Sequence, residues 1–233
     1  MAKILALDTS TDACSVALYI DGAVSEDFRI IPRQHTKQLL PMVDAMLADA
    51  GLTVSQLDAI AFGRGPGSFA GIRIATGVAQ GLAFAAELPV VPVSTLAAIA
   101  FKAAQEHQAS RIISTLDARM NELYCCAYEI QDGLPVAVGP EVVCPPANVI
   151  LPDSGDWLGV GKGFVYLADM PAEVQRVIKE PVMDVYPSAA AMLALAVDDF
   201  AKGKTVAPDD ALPVYLRDEV AWKKKDQQKK KHQ

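Results

Sequence analysis

The spacing of apolar positions changes several times along this chain, and each change marks an element. Ile4–Leu7 and Cys14–Ile20 are short apolar runs. Asp21-Gly22 suits a type I′ hairpin, which sends Ala23–Ile31 back as a third strand. The chain therefore opens as a meander whose first turn is Asp8–Asp12. From Thr36 to Ala50, Leu39, Leu40, Val43, Met46, Leu47 and Ala50 recur at helical spacing, and Gly51 fits the left-handed residue that ends such a helix. Leu57–Phe62 predicts a strand, Phe69–Ala86 a helix, Pro89–Val93 a strand and Thr95–Glu106 a helix.

The pattern then restarts. Arg111–Leu116 and Glu122–Ile130 read as strands, Asp132-Gly133 as a second hairpin turn, and Val136–Val143 as one returning strand. Pro145-Pro146 opens a less regular stretch. Trp157–Val160 predicts a strand, and Ala172–Ile178 and Ser188–Lys202 predict helices. Two β-rich openings, each followed by helices, suggest two related halves: an N-terminal lobe over 1–106, a C-terminal lobe over 107–222 whose end packs back on the first, and a disordered basic tail over 223–233.

Composition narrows the class. A hydrophobic content of 52% supports a folded α/β core rather than disorder. No apolar run is expected to reach transmembrane length, and Met1-Ala2-Lys3-Ile4 leads straight into a strand, so the expected location is cytoplasmic. Cys14, Cys125, Cys126 and Cys144 form no CxxC pair and read as buried, reduced thiols. The tail Lys223–Gln233 carries six lysines and one aspartate; taking its +5 from the net charge of −7 leaves the body at −12. Such a body binds nucleic acid poorly. The tail either touches RNA phosphates or an acidic partner, or is a solvated terminus.

The densest candidate chemistry is Gly63-Arg-Gly-Pro-Gly-Ser-Phe-Ala-Gly-Ile-Arg73, placed between a strand and a helix. That order aims backbone N–H groups and a helix dipole at an anion. Gly65, Gly67 and Ser68 are thus phosphate-facing candidates with Arg64 and Arg73 on either side, although no Lys-Ser/Thr completes a Walker motif. The alternative is a tight turn whose glycines only bring strand and helix together. Asp8, Thr9 and Ser10 form a second candidate turn, able to hold hydrated Mg²⁺ and phosphate or to be an ordinary turn.

Helix 69–86 carries Gly71, Gly77 and Gly81 internally, each costing roughly 1 kcal/mol relative to Ala. Gly77, Gly81 and Ala85 make one narrow stripe suited to close backbone approach, either on the sheet or at a subunit interface; Ile72, Ile74, Val78 and Leu82 are expected to supply the core face. His35, His107 and His232 show no metal-ligand spacing, and Ser68 and Ser94 lack an evident base, so neither a metal site nor a nucleophilic catalytic residue is expected. Asp117-Ala118-Arg119 echoes the first turn in the second half but lacks glycine, and Gly161-Lys162-Gly163 is a weak isolated signal.

Taken together, Ile4–Ser10, Gly65–Arg73, Asp117-Ala-Arg119 and Tyr215-Leu-Arg217 resemble the bacterial TsaB (YeaZ) family of tRNA threonylcarbamoyladenosine biosynthesis proteins, from residue 4 to about 222. The resemblance implies a two-lobed actin/Hsp70/sugar-kinase-like (ribonuclease H-like) fold. It implies a non-catalytic scaffold that pairs with the paralogue TsaD, with the ATPase TsaE joining them, to modify adenosine 37 of tRNAs reading codons that begin with A. It also implies no cofactor of the chain's own, with a nucleotide possible at the TsaD junction, contact with tRNA only through the complex, and no membrane. Where TsaD carries an HxxxH metal pair, this chain has Thr95 and Ile99, and Ile99 has no donor atom. On this reading Leu39, Val43, Met46, Gly77, Gly81 and Ala85 form the interface, and the chain alone forms a homodimer through the same face. Two competing readings are an ATP-dependent small-molecule kinase using Asp8 for Mg²⁺ and a peptidase acting on a partner.

Overall fold

The structure, a computed structural model, describes residues 2–217. Its first five strands form one sheet in the order β3-β2-β1-β4-β5: β1 (Lys3–Asp8), β2 (Ala13–Ile20), β3 (Ala23–Ile30), β4 (Ala59–Gly65) and β5 (Val90–Ser94). The β1–β2–β3 meander is antiparallel, whereas β4 joins β1, and β5 joins β4, in parallel. Parallel neighbours need crossovers, and α1 (His35–Asp49) and α2 (Phe69–Ala86) supply them. The turns at Asp21-Gly22 and Asp132-Gly133 have positive φ at both residues, as a type I′ hairpin requires.

A second sheet holds β10 (Leu158–Val160), β6 (Arg111–Arg119), β7 (Glu122–Gln131) and β8 (Leu134–Ala137) in that order, with β9 (Val142–Cys144) also on β7. Val136–Val143 is therefore not one strand. Gly139-Pro140 interrupts it, because proline cannot donate to the ladder, and the loop between β8 and β9 turns Glu141 inward.

The core is layered. One face of the first sheet packs Leu5, Leu7, Val16 and Phe62 against α1 and α2. The other packs Ile4, Ala6, Ala61 and Val91 against α5 (Ala189–Ala201), whose Met192, Leu193 and Ala196 are buried. Alternate residues of β1 thus serve opposite cores, and the strand reads as a continuous apolar run. α3 (Thr95–His107) sits against the second sheet, with Leu96, Ile99 and Ala103 on Ile112, Leu116 and Tyr128. Fully burying a side chain the size of Leu or Ile contributes roughly 1.5–3 kcal/mol. Beyond the second sheet, Trp157, Phe164 and Val174 close the outer face, the last from α4 (Ala172–Val177). Cys14, Cys125 and Cys126 are buried, Cys144 is half-buried, and all four are free thiols.

After α5 the chain returns along the first sheet. Val206 bridges Val90, the Val214 N–H donates to the Arg64 carbonyl at 2.8 Å, and Tyr215 reaches α2. The basic tail at 223–233 lies outside the described residues.

One expectation needs correction. α2 is, among the described residues, the one helix long and apolar enough to cross a membrane, at 18 residues with mean hydropathy 1.3. It packs Ile72, Ala75, Ala79 and Ala83 against the first sheet, which accounts for its apolar composition.

Candidate functional site

The turn after β1 and the glycine loop after β4 are closed on each other. The Ser68 N–H donates to the Ser10 carbonyl at 2.7 Å, and Thr9 Oγ1 donates to the Gly71 carbonyl at 2.6 Å. A Cβ at Gly67 would run into Ser10, and one at Gly71 would overlap the Thr9 carbonyl. These glycines therefore serve backbone-to-backbone contact. Ser68, itself exposed, caps α2 by accepting the Gly71 N–H at 3.4 Å, and Gly65 is buried at φ +100 beneath the Val214 carbonyl.

Asp8, Thr9 and Ser10 lie beneath this closure, at 0%, 0% and 1% exposure. Asp8 Oδ1 accepts from the Ser10 N–H at 3.0 Å and Ser10 Oγ at 2.9 Å. Its Oδ2 is buried without a protein partner and faces Gly63, where a Cβ would overlap it, and the Met192 methyl. Burial raises the Asp8 carboxyl to about 7, and the two Ser10 bonds only partly oppose that rise. Mg²⁺ dehydrates reluctantly and keeps several waters, so a solvent-inaccessible, protonation-prone carboxyl is a poor fit for it.

Neither flanking arginine faces an anion in this loop. Arg64 pairs with Glu141 at 3.1 Å. Arg73 lies on α2, its Cζ 3.7 Å from the Phe69 ring centre, and its Nε donates to the Tyr215 hydroxyl at 2.7 Å.

The second half repeats the closure. Thr115 Oγ1 on β6 donates to the Val160 carbonyl at 2.9 Å, and a Cβ at Gly161 would overlap the Thr115 carbonyl. Gly161-Lys162-Gly163 is thus a packing turn. Asp117 is occupied locally, accepting the Arg119 N–H at 2.8 Å and the Tyr166 hydroxyl at 3.1 Å. Arg119, Met120 and Asn121 all have positive φ, a conformation costly for residues with side chains. Arg217 braces that turn by pairing with Glu122 and donating to the Ala118 carbonyl at 3.2 Å.

Thr95 opens α3 and Ile99 lies in its core, both at 0% exposure. Among the described residues no group of three His, Cys, Asp or Glu side chains could hold a metal. His35 Nε2 sits 3.1 Å from the Ala13 carbonyl.

Sequence reasoning missed Glu141. Its carboxylate meets Arg64 from the first sheet, Ser94 at the N-cap of α3 and Tyr128 from β7, and so ties together elements of both halves beside a groove of about 480 Å³. The inward path of the β8–β9 loop was the missing information, and Gly139-Pro140 was its only sequence signal.

The candidate interface divides in two. Gly77, Gly81 and Ala85 are exposed, and a Cβ at either glycine would meet nothing within 4 Å. Leu39 and Val43 are 1% exposed in the core under α1, which corrects their assignment to an outer face, and Met46 is half-buried beside them. Helical spacing identified an apolar stripe on α1, but that stripe packs on the sheet. The large apolar residue that α1 does present is Leu40, at 46% exposure. On α2, Ile72 is buried as expected, while Ile74, Val78 and Leu82 are half-buried flanks of the first core. Phe69, Phe84 and Tyr215 stand exposed at 53%, 69% and 44% on or beside α2.

Comparison with known proteins places this arrangement. The family model described as "TsaD: tRNA N6-adenosine threonylcarbamoyltransferase" matches residues 29–225. The tRNA threonylcarbamoyladenosine biosynthesis protein TsaB of Escherichia coli K12 is 44% identical over 95% of this chain and 97% of its own. Its counterpart in Haemophilus influenzae is 41% identical over 95% and 96%. The solved structure "YeaZ from Pseudomonas aeruginosa" matches with a TM-score of 0.87 at 47% identity, covering 93% of this chain and all of that one. The actin-like two-sheet fold and these likenesses agree, and the chain belongs to the TsaB (YeaZ) branch of the TsaD family.

Proposed function

We propose that this chain acts in tRNA threonylcarbamoyladenosine biosynthesis as a non-catalytic scaffold. It pairs with a TsaD-type transferase, and with a TsaE-type ATPase it supports N6-threonylcarbamoylation of adenosine 37 in tRNAs reading codons that begin with A. The role in the pathway follows the names of its relatives. The scaffold reading rests on one contrast: the turn and glycine loop that would hold a nucleotide are closed on each other, while the Gly77–Gly81 face of α2 is open. Thr95 and Ile99, where the paralogue is expected to carry metal ligands, are buried in the α3 core. The chain has no cofactor of its own on this reading; a nucleotide at the junction with the transferase is compatible with it, as are a cytoplasmic location and a homodimer in the absence of partner. A kinase using Asp8 for Mg²⁺ fits less well, because Asp8 is sealed beneath Gly63 and Met192.

An omission assay tests the proposal. Purified chain, transferase, ATPase, threonylcarbamoyl-adenylate and unmodified tRNA are combined, and modified adenosine is measured by mass spectrometry with each protein left out in turn. The full mixture should modify tRNA, and the chain alone should not. Undiminished modification without the chain would refute the scaffold role.

A further inference from the structure

β7 and β9 bring two of the four thiols together. Their register sets Leu123 opposite Cys144 and Cys125 opposite Val142. Residues two apart on a strand share a face, so Cys125 and Cys144 lie diagonally across the ladder on one side of the sheet. Both pack in the outer core with Leu123 and Phe164. The other two cysteines are placed elsewhere. Cys126 packs with Leu116 and Tyr128 on the α3 side, its sulfur 3.5 Å from the Gly139 carbonyl, and Cys14 lies in the first core, 3.7 Å from Met42 Sδ.

The two facing thiols are not equivalent. Cys125 is buried and Cys144 is half-buried. The Cys125 S–H donates to the Cys144 sulfur, which pushes the Cys125 thiol up and draws the Cys144 thiol down; burial and the nearby Glu122 carboxylate oppose that fall without cancelling it. A half-exposed sulfur eased towards thiolate, beside a buried thiol, makes an attacking and a resolving cysteine.

β9 is also built to move. It is three residues long, Gly139-Pro140 precedes it and Pro145-Pro146 follows it, and prolines offer no N–H to a ladder. Diagonal neighbours stand about 7–8 Å apart, whereas a disulfide holds its Cα atoms within about 7 Å, so β9 has to close in by roughly an ångström. A bond made against the resting geometry of the sheet is readily reduced again.

We propose that Cys144 and Cys125 form a reversible oxidation site for a peroxide. The Cys144 thiolate attacks one peroxide oxygen, the O–O bond breaks, and the departing hydroxide takes up a proton, leaving a sulfenic acid on Cys144. The Cys125 sulfur then attacks the Cys144 sulfur, the S–O bond breaks, and the hydroxyl leaves with the Cys125 proton as water. Two thiols and one hydrogen peroxide thus become one disulfide and two waters. A dithiol reductant restores both thiols and is itself oxidised to a disulfide. The bridge fastens β9, and with it the loop that carries Glu141, to β7.

Peptide mapping of the full chain tests this. The folded protein is treated with equimolar hydrogen peroxide at neutral pH, the remaining thiols are alkylated, and cleavage after glutamate puts Cys125 and Cys144 on separate peptides. The expected product is an intramolecular Cys125–Cys144 bridge that dithiothreitol removes. Cys126 shares a peptide with Cys125, so the map is repeated with Cys126→Ser, which should keep the bridge. In Cys125→Ser, dimedone should label Cys144 about tenfold more than in the unaltered chain, where Cys125 consumes the sulfenic acid. The unaltered chain carries the test even where a serine variant fails to fold. No bridge, a bridge absent from folded Cys126→Ser, or Cys144 driven to sulfonic acid with Cys125 still reduced would overturn the proposal.

Discussion

Thr9 Oγ1 donates a 2.6 Å hydrogen bond to the Gly71 carbonyl, joining the turn after β1 to the first turn of α2 across 62 residues of sequence. The bond is fully buried, and Gly71 presses its Cα against the Thr9 backbone with no room for a side chain. Thr115 and Gly161 repeat the device in the second half. In both places a threonine hydroxyl and a glycine fasten together two segments distant in sequence.

Gly71→Ala should therefore destabilise the fold although alanine is the better helix former. The added methyl meets backbone, which yields less readily than a side-chain tip, so the expected loss is about 3 kcal/mol. Denaturant unfolding measures it. A stability within error of the unaltered chain would mean that the loop and turn can separate without cost.

Asp8 gives stability a pH dependence of defined sign. Its folded-state value is raised from 3.8 to about 7 by burial, so the folded chain holds a proton that the unfolded chain releases near pH 4. The contribution is fully present below about pH 4 and is lost as pH rises towards 7. A shift of about three units corresponds to roughly 4 kcal/mol. Asp8→Asn keeps the oxygen that accepts from Ser10 and cannot ionise, so its unfolding free energy should vary less between pH 4 and 7. Identical pH profiles for the two proteins would show that Asp8 is not the titrating group.

Glu141→Ala should cost about 2 kcal/mol, because it strands the Arg64 guanidinium and leaves the buried Tyr128 hydroxyl with only its 3.5 Å contact to Ser94 Oγ. Glu141→Gln should recover part of the loss through its amide oxygen. Thermal melting of both variants checks the order.

Much of the fold could be read from residues alone, because it rests on local chemistry. Apolar period and the two Asp-Gly hairpins mark their elements directly. What could not be read depends on tertiary direction. Leu39 and Val43 have the spacing of an outer stripe as much as of an inner one, and only the sheet beneath α1 decides. The glycines at 67 and 71 serve a phosphate or a backbone equally well in sequence; the Ser10 and Thr9 carbonyls distinguish them. Glu141 sits in a loop with no periodicity, so its role as a clasp depends on three partners drawn from distant segments.

The most direct measurement sets the α2 face against the sealed turn in one reconstituted tRNA-modification reaction, using Gly77→Leu and Asp8→Asn side by side. Gly77→Leu should fail to bind the transferase and abolish modified adenosine while remaining folded, and Asp8→Asn should support modification at the level of the unaltered chain. The opposite pattern, with Asp8→Asn inactive though folded and bound and Gly77→Leu active, would contradict the account.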